Sequence, residues 1–79
     1  MALDEVYERL TQIFRDVLDN DEVELGPSTT ASDVDGWDSL NHVRLMLATE
    51  KVFGIHFSAR EISKLKNVGE FAKLIESKI

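Results

Sequence analysis

The chain has no cysteine among its 79 residues, so it can build neither a disulfide framework nor a thiolate metal site. Any sulfur nucleophile in its chemistry has to arrive on a cofactor. Only one proline and four glycines are present, too few for a linker-like or low-complexity chain. No apolar run approaches the length of a membrane span, and the N-terminus lacks the basic-then-apolar order of a signal peptide, which predicts a cytoplasmic protein with no membrane role. Strand-like alternation and internal repeats are missing as well. Bases are scarce in the first half: residues 1–38 hold eleven acids and two bases, whereas residues 39–79 hold four acids and seven bases. The formal charge of -6 repels phosphate backbones, which excludes a nucleic-acid partner and favours basic protein patches.

With 43% hydrophobic and 30% charged residues the chain reads as one folded domain over 1–79, expected to be a monomer and too short to enclose a large cleft. Leu3, Val6, Tyr7, Leu10, Ile13, Phe14, Val17 and Leu18 fall on one arc of a helical wheel, opposite Asp4, Glu5, Glu8, Arg9, Gln12, Arg15 and Asp16. Asn20-Asp21 and Gly26-Pro27-Ser28 break that period, and the turn-rich stretch to Asp38 predicts a long loop pinned by Val23, Leu25 and Val34. A second helix is expected from about Ser39 to Phe53, with Asp38 or Ser39 as N-cap and Gly54 as a left-handed stop. Its core spacing is carried by Leu45, Met46, Thr49, Val52 and Phe53. Ser58-Ala59-Arg60-Glu61 has capping-box spacing and opens a short third helix carrying Ile62 and Leu65. Asn67-Val68-Gly69-Glu70 opens a fourth, which presents Val68, Phe71, Ala72, Ile75 and Ile79 at helical spacing. The expected fold is therefore all-α, a four-helix bundle with a short third helix and a long first connection.

The segment Asp33-Val34-Asp35-Gly36-Trp37-Asp38-Ser39-Leu40 places a serine where an acidic loop meets a helix start. A helix N-terminus offers unpaired N–H groups and a partial positive charge, which would favour a phosphodiester on Ser39. The serine need not be nucleophilic by itself, since a modifying enzyme with a bound metal can activate its hydroxyl. The bland alternative is that Ser39 is an ordinary N-cap. Asp33, Asp35 and Asp38 lack the ligand count and turn glycine of a calcium loop, so no metal is expected. Trp37 reads as an anchor for the loop, and a Ser39–His42 hydrolase is excluded by the absence of a Gly-x-Ser-x-Gly elbow and of room for an oxyanion hole. His42 and His56 are taken as structural or surface residues, and the chain as no enzyme.

Gly36-Trp37-Asp38-Ser39-Leu40, followed by Val43 and Leu45, resembles the Asp-Ser-Leu signature of acyl carrier proteins. The likeness runs the whole chain: a long first helix, a long loop, Asp-Ser-Leu opening the second helix, a Phe-Gly stop, a short third helix and a closing fourth. It implies that Ser39, flanked by Asp38 and Leu40, receives 4'-phosphopantetheine from coenzyme A through a phosphopantetheinyl transferase, and that the arm's thiol then carries acyl groups as thioesters. Acyl-loading and acyl-using enzymes become the expected partners, in fatty-acid-like, polyketide or other specialised acyl biosynthesis. An aminoacyl or peptidyl carrier is the nearer alternative, although Gly36-Trp37-Asp38 fits its motif poorly. An unmodified acidic interaction module is the more distant one.

Two surfaces follow from these assignments. Leu40, Arg44, Leu47 and Lys51 lie opposite the core arc of the second helix and suggest a docking strip, unless the leucines cover neighbouring core; Asp33 and Asp35 on the loop are the other docking candidates. The resemblance implies an acidic second helix, whereas this face carries Asn41, Arg44 and Lys51, which points to acidic partner surfaces and a specialised pathway. Met46, Phe57, Ile62, Phe71 and Ile75, between the second, third and fourth helices, are expected to accept the acyl chain.

Overall fold

A computed structural model describes residues 2–79 and shows four helices: α1 over Leu3–Leu18, α2 over Ser39–Phe53, α3 over Ala59–Ser63 and α4 over Val68–Lys78. The described residues contain no strand, and the fold is the expected all-α bundle. Helix α1 ends where Asp19 adopts a left-handed conformation at φ 51°, one residue ahead of the Asn20-Asp21 pair. Aspartate tolerates that region because its short polar side chain bonds locally.

Four α1 side chains, Val6, Leu10, Ile13 and Phe14, are buried and make α1 the common partner of α2 and α4. Leu45, Met46 and Thr49 face them from α2, and Val68, Phe71, Ala72 and Ile75 from α4. Thr49 is the buried polar member, and its hydroxyl donates to the Leu45 carbonyl at 2.7 Å, so no desolvated group is left unpaired. Val52 departs from the expected core set. It lies 48% exposed, while Phe53 is half-buried. At 100° per residue Val52 sits at the rim of the arc centred on Leu45, Met46 and Thr49, so the spacing admitted it without requiring burial. Ile79, at the far end of α4, is also exposed.

The connection from α1 to α2 is ordered by side chains that the sequence distributes widely. Val23 and Val34 are buried, Leu25 is half-buried, and Arg15 Nε donates to the Val23 carbonyl at 3.0 Å. A short 3-10 turn over Ala31–Asp33 interrupts it, closed by a capping box between Thr30 and Asp33 that loop composition did not announce. Between α2 and α3, Glu50 reaches forward: its Oε2 accepts from the Phe57 amide at 2.7 Å and lies 3.1 Å from His56 Nδ1. Ser58 and Glu61 form the expected capping box, and the Ser58 amide, foremost, holds the Glu61 carboxyl below its ordinary value. Asn67 caps α4 through the Glu70 amide, but the Glu70 carboxylate accepts from the Lys66 amide at 3.0 Å rather than closing a box on Asn67.

The first amides of α4 would otherwise lack acceptors. Val68 N–H donates to the Thr29 carbonyl at 2.8 Å and Gly69 N–H to the Pro27 carbonyl at 3.0 Å, which ties the long loop to the opposite end of the chain. Gly69 permits that approach. A Cβ there would stand 2.6 Å from the Pro27 oxygen and 3.1 Å from its Cα, both backbone atoms unable to rotate away. Helix propensity favours Ala over Gly by about 1 kcal/mol, but the overlap and the two threatened hydrogen bonds outweigh it. Gly69→Ala is expected to lower stability by about 1–3 kcal/mol, read as a lower urea midpoint; a midpoint equal to or above the parent's would show that the loop is not held this way.

Candidate functional site

Turn geometry delivers Ser39 to the surface. Gly36 has φ 87°, a region that favours glycine, and its carbonyl accepts from the Asp38 amide at 3.0 Å and from Asn41 Nδ2 at 2.7 Å. Asp38 follows in an extended conformation as the N-cap, with Oδ1 accepting from the Asn41 amide at 2.9 Å. Ser39 is thereby left as the first helical residue, exposed, with its hydroxyl free of capping duty. Among the described residues the amides of Ser39 and Leu40 have no acceptor, so the start of this 15-residue helix presents two free donors and the positive end of its dipole beside the serine.

Trp37 anchors the turn. Its half-buried ring meets Phe14 edge-on, with centroids 4.9 Å apart at 87°, and its Nε1–H donates to His42 Nδ1 at 3.0 Å. The Trp37 and His42 rings lie within 15° of parallel. Because His42 Nδ1 accepts, the neutral ring carries its proton on Nε2. His42 is one turn beyond Ser39 on the same helix, and its pairing with Trp37 went unread in the sequence; their five-residue separation across a helix start was the available signal.

The remaining candidates fall into separate places. Leu40 and Leu47 are 65% and 60% exposed, so neither covers core, and Arg44 and Lys51 stand exposed beside them with no ion pair among the described residues. Val43, 55% exposed and three residues after Leu40, extends this stripe, and the sequence had shown it only as part of a motif. Asp33 Oδ2 is taken up by the Thr30 amide at 2.9 Å, whereas Asp35 is exposed; both line an acidic depression with Glu22 and Glu24. No cluster of three or more metal-ligating side chains occurs among the described residues.

Of the five residues expected around an acyl chain, Met46, Phe57, Phe71 and Ile75 are buried and Ile62 is half-buried. Of these, Met46 and Phe71 line a partly open cavity of about 80 Å³ beside α2, together with Ala31, Trp37, His42, Leu65, Lys66 and Asn67. Phe57 instead packs on Phe71, with ring centroids 5.5 Å apart. The interior between α2 and α4 is thus filled toward Phe57 and Ile75 and open toward Trp37.

The model of the family described as the phosphopantetheine attachment site matches residues 8–75. An acyl carrier protein of Petrotoga mobilis is 38% identical over 81 aligned positions, covering 100% of this chain and 93% of that protein. One of Coprothermobacter proteolyticus is 29% identical over 79 positions, covering 100% and 96%. The solution structure of a holo acyl carrier protein from Geobacter metallireducens is 44% identical and superimposes with a TM-score of 0.87 over 92% of this chain and 84% of that one.

The division between Asp38 and Ser39 is open to a direct check. Asp38→Ala is expected to destabilise the protein by about 1 kcal/mol through the lost cap, with Asp38→Asn close to the parent. Ser39→Ala should leave the urea midpoint nearly unchanged; an equal loss in Ser39→Ala would make the serine the cap.

Proposed function

This chain belongs to the phosphopantetheine attachment-site family and is an acyl carrier protein, and we propose that Ser39 is the residue that bears its 4'-phosphopantetheine group. The observation that carries this assignment is an exposed serine hydroxyl at the first position of α2, released from capping by Asp38. The residues present fit the group. Ser39 would hold its phosphodiester, the free amides of Ser39 and Leu40 would face the anionic oxygens, and an open cleft lined by Ala31, Trp37, Asp38 and His42 gives the arm room beside its root. When bound, the group supplies the thiol on which acyl cargo is held as a thioester.

The chain's own part is presentation. Asp38 fixes the start of α2, Gly36 turns the loop, and Trp37 braces that turn on Phe14, so the hydroxyl is offered to a transferase without rearrangement. Work on the cargo belongs to partner enzymes, and the chain acts as a carrier rather than a catalyst. We place that work in the cytoplasm.

We further propose that acyl-handling partners dock on Leu40, Val43 and Leu47 and present acids to Arg44 and Lys51, in a specialised pathway. Three exposed apolar side chains on one helix face, rimmed by two exposed cations with no ion pair among the described residues, support this choice over a basic partner surface.

Incubation with coenzyme A and a broad-specificity phosphopantetheinyl transferase should add one phosphopantetheine mass to the parent and none to Ser39→Ala. Because the polypeptide has no cysteine, thiol titration should rise from zero to one equivalent in the same step. An equal mass gain on Ser39→Ala would move the attachment elsewhere.

Arg44→Glu with Lys51→Glu is expected to slow acyl transfer with the native partner, most strongly at low salt, while changing stability by no more than about 0.5 kcal/mol. Equal kinetics for parent and double variant at low salt would remove this stripe as the docking face.

A further inference from the structure

The turn that delivers Ser39 contains a reactive pair of neighbours, Asp35 and Gly36. Every other Asp and Asn among the described residues has a hydrogen bond on its side chain or on the amide that follows it. Asp33 and Asp38 accept from the Thr30 and Asn41 amides, Asn20 and Asn67 from those of Glu22 and Glu70, and the amides after Asp4 and Asp19 donate to Ala2 and Arg15 carbonyls. Asp35 has neither restraint. Its exposed carboxylate has no hydrogen-bond partner among the described residues, and the N–H of the equally exposed Gly36 finds no acceptor there.

A free carboxylate beside a free glycine amide can react with it. The Gly36 nitrogen attacks Asp35 Cγ and the new C–N bond closes a cyclic imide, while one carboxylate oxygen leaves as water with the amide proton and one proton from solvent. Glycine favours this attack, because no Cβ crowds its nitrogen. Water then reopens the ring and returns a proton to solvent. Addition at Cγ restores aspartate; addition at the Asp35 main-chain carbonyl breaks its bond to the Gly36 nitrogen and leaves isoaspartate, with the backbone running through Cγ and the α-carboxylate free. One water is lost and one regained, with nothing oxidised or reduced. The product carries an extra methylene in the main chain ahead of Gly36. That insertion strains the turn closed by the Trp37 amide on the Val34 carbonyl at 3.2 Å, and draws the Gly36 carbonyl from the Asp38 amide and Asn41 Nδ2, which it meets at 3.0 and 2.7 Å. Those last two bonds join the turn to the start of α2. The anchors of the loop on α4, at Pro27 and Thr29, lie outside the altered turn, so the bundle persists.

We propose that Asp35 and Gly36 form a self-modification site, where conversion to isoaspartate ages the protein and withdraws Ser39 from loading. The effect on loading rests on Ser39 being the attachment residue; the isomerisation does not.

The test holds the full, unloaded chain in neutral buffer at physiological temperature for several weeks and counts isoaspartate by peptide mapping with mass spectrometry. Isoaspartate should accumulate at Asp35 about tenfold faster than at the other Asp and Asn residues, where a hydrogen bond must first break. Accumulation at Asp35 no faster than at Asp33 or Asn67 overturns the site. The isoaspartate form, separated by reversed-phase chromatography, should keep the parent's helical circular dichroism and accept phosphopantetheine from coenzyme A and a transferase about ten- to a hundredfold more slowly. Loading at the parent's rate, or loss of the helical signal, overturns the local account. Asp35→Glu, whose longer side chain closes the imide far less readily, should stay unmodified at that position and keep its own starting rate of loading through the same incubation. An equal decline in aged Asp35→Glu would trace the loss to another change and sink the proposal. Failure of the Ser39 assignment shows separately, as a mass gain that persists in Ser39→Ala, and leaves the isoaspartate count untouched.

Discussion

The amides that open α4 need acceptors, and the carbonyls of Pro27 and Thr29 supply them. Much else follows from that pairing. With no sheet among the described residues to organise it, a connection of this length would lose its conformational entropy for little return. Bonded to α4 at its middle and pinned by Val23 and Val34 on either side, it becomes a strap across the bundle. The strap then sets where Gly36 and Trp37 fall, and through them where α2 begins. Gly69 is the enabling residue, since its missing side chain lets two backbones meet. The segment proposed to bear the phosphopantetheine group is thus held in place by one far away in sequence.

That arrangement separates tasks within α2. Leu45, Met46 and Thr49 face α1 and fix the helix, Asp38 and Gly54 close its ends, and Leu40, Val43 and Leu47 are left over, exposed. A helix with apolar side chains on both faces is ambiguous to a bundle, because either face might be buried. The bases decide here: Arg44 and Lys51 would have to be desolvated along with the leucines, at a cost of several kcal/mol per unpaired ion. The buried hydroxyl of Thr49 is satisfied within its own helix and adds no such cost.

Much of the fold was legible because the helix ends are written in local chemistry. Asp38, Gly54, Ser58 with Glu61, and Asn67 each sit where a cap is needed, and α1 is announced by its apolar arc. The Asp-Ser-Leu motif likewise located the start of α2. What escaped depends on partners distant in sequence or on side-chain direction. The acceptance of the Phe57 amide by Glu50, the closure of the 3-10 turn by Thr30 and Asp33, and the Trp37–His42 pair are tertiary or loop events without a period. Val52 was misread for the opposite reason, a period too permissive at its edge. Around Met46 and Phe71 the interior was anticipated, but the open volume lies toward Trp37 instead of Phe57 and Ile75, because helical spacing lists which side chains point inward and not how completely they fill the space.

The acidic depression of Glu22, Glu24, Asp33 and Asp35 and the cationic pair on α2 lie on the same small molecule and give its field two signs. An approaching charged body feels a torque as well as a force, and is turned before it touches. An acidic surface drawn to Arg44 and Lys51 is at the same time pushed from the loop, which narrows the approaches that end in contact. Both fields fade over a Debye length of about 10 Å at 0.1 M salt. Added salt therefore weakens attraction and repulsion together, and the encounter rate varies less with ionic strength than two isolated cations would make it. What salt erodes first is the preference for one orientation over another.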